Sequence, residues 1–429
     1  MQKSLLLAFL FFLSFSVKAQ LTPEQLVKMD QAMGTGSFFN NHLSGFILQD
    51  MDQKIILYER NSHLNFIPAS TTKLFTLFSA ITILNDSTQT LRYVTSGDTI
   101  RIWGSGDPTW KYKKFQDPGI QKLIQPFKYV VYSDSNMDSP AFGYGWQWDD
   151  YYFDYSAERS PLPIYGNLLE VKKEAGKAIV SLKQFQDSVF LTTRPIRELE
   201  RDFHSNKFYY NTANFRAAEQ YIPILTSPEL FVKFASEATG KTWSYLKDPL
   251  PENHQVYRGS LLFPILKEMM LESDNFLAEQ LMLMVSDQLF QRLDTERAIE
   301  FMLKTYLYDL PDQPKWVDGS GLSRHNLFTP RAMVTLFEKL YRMVPDQQLF
   351  ELLPTGGETG TIKNSYQASS PYIFAKTGTM SNNHSLVGLI KTKSGKTYSF
   401  AFMNSNYLNK ASEVRREMEK VLLMVRDML

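Results

Sequence analysis

Near the start of the chain, residues 43–48 and 55–58 form two short β-prone runs around the polar stretch Gln49, Asp50, Met51, Asp52 and Gln53, a pattern that predicts a hairpin. Pro68 and Ala69 then lead into Ser70. Beyond it Leu74, Leu77, Phe78, Ile81 and Leu84 recur at helical spacing until Asn85 and Asp86 end the pattern. That helix is apolar nearly all round, so it is expected to be buried. From 88 to 227 the texture changes to strand-like pieces at 99–103, 129–132, 178–182 and 189–192, broken by Gly, Pro, Asp and Ser, which predicts a mainly β insertion. Helical periodicity returns at 228–237, 261–293 and 295–307, followed by a Gly- and Ser-rich loop at 318–324. The end of the chain reads as strands at 372–379, 386–391 and 397–403, with a turn at 393–396 before the last strand. A helix follows whose stripe of Val414, Met418, Val421, Leu422 and Val425 is expected to pack on the adjacent sheet.

The first residues differ from the rest. Lys3, an apolar run from Leu5 to Val17, and short side chains ending at Ala19 read as an export signal cleaved after residue 19. The run is shorter than the roughly 20 residues of a spanning helix, so no integral membrane segment is expected after cleavage. The expected organisation is therefore a signal peptide at 1–19, a first catalytic part at 20–87, the insertion at 88–227 and a second catalytic part at 228–429.

Composition narrows the function. With 43% hydrophobic and 21% charged residues, the chain has ordinary globular usage, which excludes disorder and a multi-span membrane protein. Its 46 Lys and Arg stand against 45 Asp and Glu without a block of like charge, so no nucleic-acid partner is indicated. Six scattered histidines, no His-x-x-x-His pair and no Cys give no basis for a zinc site, and no metal or other cofactor is expected. The lack of Cys also means a fold without disulfides in an exported protein.

Acyl transfer needs a nucleophile, a base within reach and donors aimed at the developing oxyanion. Ser70 and Lys73, three positions apart at a helix start, meet the first two needs on one face. The spacing alone is weak, since Ser244 and Lys247 repeat it without other support. The combination is specific: Ser70-x-x-Lys73, then Ser273-Asp274-Asn275, then Lys376-Thr377-Gly378 followed by Thr379, in that order in an exported chain.

With these motifs stand Gly104-Ser105-Gly106-Asp107-Pro108-Thr109, Gly145-Trp146-Gln147-Trp148-Asp149-Asp150, Asp318-Gly319-Ser320-Gly321-Leu322-Ser323-Arg324, and Leu353-Pro354-Thr355-Gly356-Gly357 with Gly360-Thr361. Across about residues 40–405 the chain resembles the low-molecular-mass class C penicillin-binding proteins of the D-alanyl-D-alanine carboxypeptidase and endopeptidase type. The resemblance implies an α/β (α+β) chain with the penicillin-recognising serine transpeptidase and β-lactamase-like fold, an antiparallel sheet flanked by helices. The distance from Lys73 to Ser273 implies that a second inserted domain is reduced or absent. The resemblance further implies that Ser70 is acylated, Lys73 takes its proton, Ser273 relays a proton to the leaving amine, and Asn275 orients Lys73 and the substrate amide. Lys376 and Thr377 would hold the terminal carboxylate, and Ser70 and Thr379 would supply backbone donors to the oxyanion. Gly378 would let its strand approach the ligand. Peptidoglycan peptides ending in or cross-linked through D-Ala are the implied substrates, β-lactams the inhibitors, and the periplasm the compartment. Two rival readings are a serine β-lactamase and a catalytically silent peptidoglycan-binding scaffold. Glu279, one turn beyond Asn275, is read as structural, and Trp146 and Trp148 as core residues or a glycan rim.

Overall fold

The computed structural model describes residues 20–429, and the expected export signal at 1–19 lies outside the described residues. Two five-stranded sheets organise the chain. In the first, all pairs are antiparallel and the strands run Ile373–Met380, Asn383–Lys391, Thr397–Ser405, Leu43–Asp50 and Ile55–Arg60, so the two ends of the chain meet in its middle. The hairpin read at 43–58 is its Leu43–Asp50 and Ile55–Arg60 pair.

These strands are apolar on both sides, and alternate residues feed two different cores. Phe46, Leu48, Phe400 and Phe402 pack with the last helix, Ala411–Met428, through Val414, Met418, Val421, Leu422 and Val425, and with Met29 and Met33 of the helix Pro23–Met33. Ile47, Val387, Leu389, Ala401 and Met403 pack on the opposite face, against the helices Lys73–Ile83, Asn275–Phe290 and Pro330–Met343. Antiparallel strands flanked by helices match the fold that the resemblance implies.

The helical stretch read over 261–293 is two helices, Leu262–Leu271 and Asn275–Phe290. Between them Ser273 takes the left-handed conformation at φ 60°, unfavourable for a non-glycine residue, and the Asp274 carboxylate caps the second helix by accepting from Leu277 N at 3.0 Å. Apolar periodicity on both sides of the polar run Glu272, Ser273, Asp274 and Asn275 reads as one stretch, and the break falls in that run. The second helix is buried nearly all round, from Phe276 to Asp287, and forms the axis against which the other helices pack.

The second sheet is mixed, with strands Thr242–Tyr245, Tyr129–Ser133, Thr99–Gly104, Ser87–Ser96 and Gln255–Leu261. Two three-stranded sheets accompany it, Glu219–Pro223 with Leu168–Glu174 and Lys177–Val180, and Val189–Leu191 with Phe208–Tyr210 and Glu200–Arg201. The helix Pro228–Thr239 buries Phe231, Phe234 and Ala235 in the core of this unit, beside Trp110 and Trp243. The second sheet thus includes Gln255–Leu261, past residue 227, where the sequence places the return of the catalytic part. No described helix is long and apolar enough to cross a membrane.

Candidate active site

Ser70 lies in a 3-10 turn, Ala69–Thr72, that runs directly into the helix Lys73–Ile83. Ala69 before it sits at φ 49°, a second strained non-glycine position beside the site. The turn is pinned from two sides. Gly378 on the Ile373–Met380 strand has no room for a side chain, since a Cβ there would stand 2.2 Å from Pro68 O and 3.0 Å from Ser70 N. Gly321, at φ 82°, approaches from the 318–324 loop, where a Cβ would stand 1.9 Å from Ala69 O. Gly378 therefore serves the close approach of its strand to the serine turn.

Lys73 is fully buried, and its Nζ makes three contacts: 3.0 Å to Ser70 Oγ, 2.6 Å to Asn275 Oδ1 and 2.8 Å to the Ser320 carbonyl. Two fixed carbonyl acceptors take two of its N–H groups, and the third position of the nitrogen, proton or lone pair, faces Ser70. Burial pushes the Lys73 amine down to about 8, against Asp274, Asp318 and Glu279, which pull it back up. A lysine acts as the base at neutral pH only with its amine pushed down, and here burial does so.

Lys376 is also fully buried. Its Nζ donates to Ser273 Oγ at 2.7 Å and to the Thr377 carbonyl at 2.9 Å, and burial, with repulsion from Lys73, holds its amine well below the ordinary lysine value. Asn275 Nδ2 donates to Tyr155 O at 3.0 Å, which fixes its amide with the oxygen toward Lys73. Ser70, Ser273, Thr377 and Thr379 line one cavity of about 330 Å³. The structure therefore brings Ser70, Lys73, Ser273, Asn275, Lys376, Thr377, Gly378 and Thr379 to one place. Ser244, of the repeated spacing, is exposed on the Thr242–Tyr245 strand of the other sheet.

Sequence reasoning reads Glu279 as structural, but it does not find the contacts that support the site. The Ser320 carbonyl is a backbone acceptor, invisible in a pattern of side chains. It is held by Glu279, whose Oε1 accepts from Ser320 N at 2.8 Å and whose Oε2 meets Arg159 Nη1 at 3.3 Å. Burial, with the nearby Asp318 charge, raises the Glu279 carboxyl to about 7. Asp318 ties the same loop together by accepting from Gly321 N, Ser323 N and Asn326 Nδ2, and from Trp146 Nε1 at 3.0 Å. Trp146 is therefore a support of this loop, while Trp148 is 75% exposed. On the far side of the cavity Thr361 Oγ1 lies 2.7 Å from Thr377 Oγ1, and His384 Nδ1 lies 2.8 Å from Thr379 Oγ1.

The chain is similar to several known proteins. Over 416 residues the chain is 25% identical to the D-alanyl-D-alanine carboxypeptidase DacB of Haemophilus influenzae, covering 85% of each. It is also 25% identical over 409 residues to a penicillin-sensitive carboxypeptidase A of Dictyostelium discoideum, covering 78% of this chain and 76% of the relative. Its fold is similar to the crystal structure of penicillin binding protein 4 (dacB) from Haemophilus influenzae, with TM-score 0.73 and 20% identity over 94% of this chain and 99% of that one. A predatory peptidoglycan endopeptidase from Bdellovibrio bacteriovorus shares the fold at TM-score 0.50 and 15% identity, covering 89% of this chain and 92% of that one. A family model described as D-Ala-D-Ala carboxypeptidase 3 (S13) matches residues 28–194 and 256–426. The chain belongs to the D-Ala-D-Ala carboxypeptidase 3 (S13) family.

Proposed function

We propose that the protein works as a serine-type D-Ala-D-Ala carboxypeptidase and endopeptidase on peptidoglycan stem peptides, through an acyl-enzyme on Ser70, with β-lactams as substrate-like inhibitors. One observation carries the reading: the Lys73 amine, buried and tied to Asn275 Oδ1 and Ser320 O, has one position left, and it points at Ser70 Oγ.

As the neutral amine, Lys73 accepts the Ser70 proton while Oγ attacks the carbonyl carbon of the penultimate D-Ala. An amine near 8 is roughly one-tenth neutral at pH 7, against less than a thousandth for an ordinary lysine, so burial raises the reactive fraction by more than a hundredfold. Backbone N–H groups of Ser70 and Thr379 receive the oxyanion, and one such donor is worth about 3 to 4 kcal/mol. The C–N bond then breaks as the proton that Lys73 took from Ser70 is relayed through Ser273, which is bonded to Lys376, to the leaving nitrogen. Thr377, with Lys376 behind it, receives the carboxylate of the leaving residue. Water releases the acyl group and returns the proton to the site.

The β-lactamase reading is disfavoured because no carboxylate lines the cavity in front of Ser70, and Glu279 is held by Ser320 N and Arg159. Deacylation of penicillins is then slow. The silent-scaffold reading leaves the buried amine aimed at a serine without a purpose. For the compartment, we place the protein in the periplasm on the export signal read at residues 1–19 and the location of the substrate. Mass spectrometry of muropeptides after incubation with the purified protein tests the activity. Loss of a terminal alanine or conversion of cross-linked dimers to monomers supports it, and unchanged muropeptides contradict it.

A further inference from the structure

The cavity in front of Ser70 has a mainly neutral polar lining, and its one formally charged side chain is Arg415. Arg415 sits near the start of the last helix, next to Val414, which anchors that helix in the sheet. Among the described residues its guanidinium makes one hydrogen bond, a long one from Nε to the Ala411 carbonyl, at 3.4 Å. Among the described residues no carboxylate lies within ion-pair distance of it, whereas Arg416, its neighbour, meets Glu417 at 3.6 Å. Arg415 is thus a guanidinium without an anion, exposed at the mouth of the cavity that holds the nucleophile.

The lysine behind the cavity does not fill the same need. Lys376 Nζ is committed to Ser273 Oγ and the Thr377 carbonyl and is fully buried, where a positive charge is disfavoured. His384 does not fill it either: burial and the positive charge of Arg415 hold its imidazole down to about 3, so it is neutral. It has a different use. With the proton on Nδ1, it donates to Thr379 Oγ1 and leaves the Thr379 hydroxyl proton free to point at a ligand. Thr377 and Thr379 then offer two hydroxyls on one side of the cavity, and Arg415 offers a planar fork of N–H donors.

We propose that Arg415 is the carboxylate-reading residue of this enzyme. Together with the Thr377 and Thr379 hydroxyls, its guanidinium binds the carboxylate carried by the residue that leaves, and it selects substrates by that charge. The proposal rests on Ser70 being the nucleophile, and it names the group that recognises what departs from it. Because it reads the carboxylate and not the remainder of the leaving residue, the same contact serves a terminal D-alanine and a cross-link that carries a carboxylate beside the scissile nitrogen.

The test compares an N-acylated peptide ending in D-Ala-D-Ala with the same peptide ending in the C-terminal amide, using wild type, Arg415→Gln and Arg415→Lys. A charge-assisted, two-pronged contact predicts that Arg415→Gln lowers the ratio of kcat/KM for acid over amide by roughly 10- to 100-fold. The loss falls mainly on KM for the acid, and Arg415→Lys recovers part of it. Arg415 is exposed, so the variants fold, and matching thermal melts check that. Wild type preferring the acid while Arg415→Gln keeps the ratio within twofold overturns the Arg415 assignment and leaves the nucleophile standing. Wild type cleaving neither peptide overturns both.

Discussion

The two five-stranded sheets make an instructive pair. The second, mixed sheet is covered by a largely apolar core in which Trp110, Trp243, Phe231 and Phe234 pack together, and Ser244 on its edge strand and Lys247 just past that strand are both exposed. The first sheet has the same number of strands but uses its edge strand differently. Ile373–Met380 carries buried Lys376 and Thr377, its neighbour carries buried Asn383, His384 and Ser385, and His384 Nε2 and Ser385 Oγ have no partner. Strained Ala69 and Ser273 lie beside it. Buried polar atoms without partners each cost on the order of 1–3 kcal/mol, so the catalytic sheet tolerates a burden that the other does not carry to the same extent. Helices on both faces of the catalytic sheet supply the apolar burial that offsets it.

The sharpest way to break this contrast is at the nucleophile. Ser70→Ala and Lys73→Met should each lower D-alanine release by about a thousandfold or more while leaving the thermal midpoint close to wild type, measured by steady-state release and calorimetry. Gly378→Ala comes next. Its methyl has only the backbone of Pro68, Ser70 and Thr71 to meet, so the strand and the serine turn separate, and kcat/KM should fall by about a hundredfold. In the other sheet the expectation reverses. Phe234→Ala should cost about 3–5 kcal/mol, seen as a lower denaturation midpoint of the inserted unit, while kcat/KM changes by less than about twofold. A large loss of activity with unchanged stability would show that the second sheet is not a support only.

A smaller effect is the pH profile. Protonation of Lys73 removes the base, so acylation should fall about tenfold per pH unit below about 8 and level off above it. A profile flat from pH 6 to 9 would mean that Lys73 does not take the proton.

How much of this was legible depended on the kind of signal. Motif order located Ser70, Lys73, Ser273, Asn275, Lys376 and Thr377, because side-chain chemistry is written in residue identity. β-prone runs bounded by turn residues and the stripe from Val414 to Val425 located the first sheet and its covering helix. The structure has the helix read at 228–237, yet periodicity reports that a face is buried and not what buries it, and the helix packs against the second sheet. The break at Ser273 falls in the polar run from Glu272 to Asn275, where Asp274 caps the following helix, and apolar periodicity on both sides of that run reads as one stretch. The Ser320 carbonyl, its Glu279 and Arg159 supports, and unpaired Arg415 depend on contacts between residues far apart in the chain, which no local pattern encodes.

Central to the account is that Ser70 is acylated because the Lys73 amine faces it. Peptide mapping of the protein after brief exposure to penicillin tests this most directly. The account predicts a penicilloyl adduct on the peptide that contains Ser70 in wild type, and almost none in Lys73→Met over the same interval. An adduct on another residue, or labelling of Lys73→Met at the wild-type rate, would contradict it.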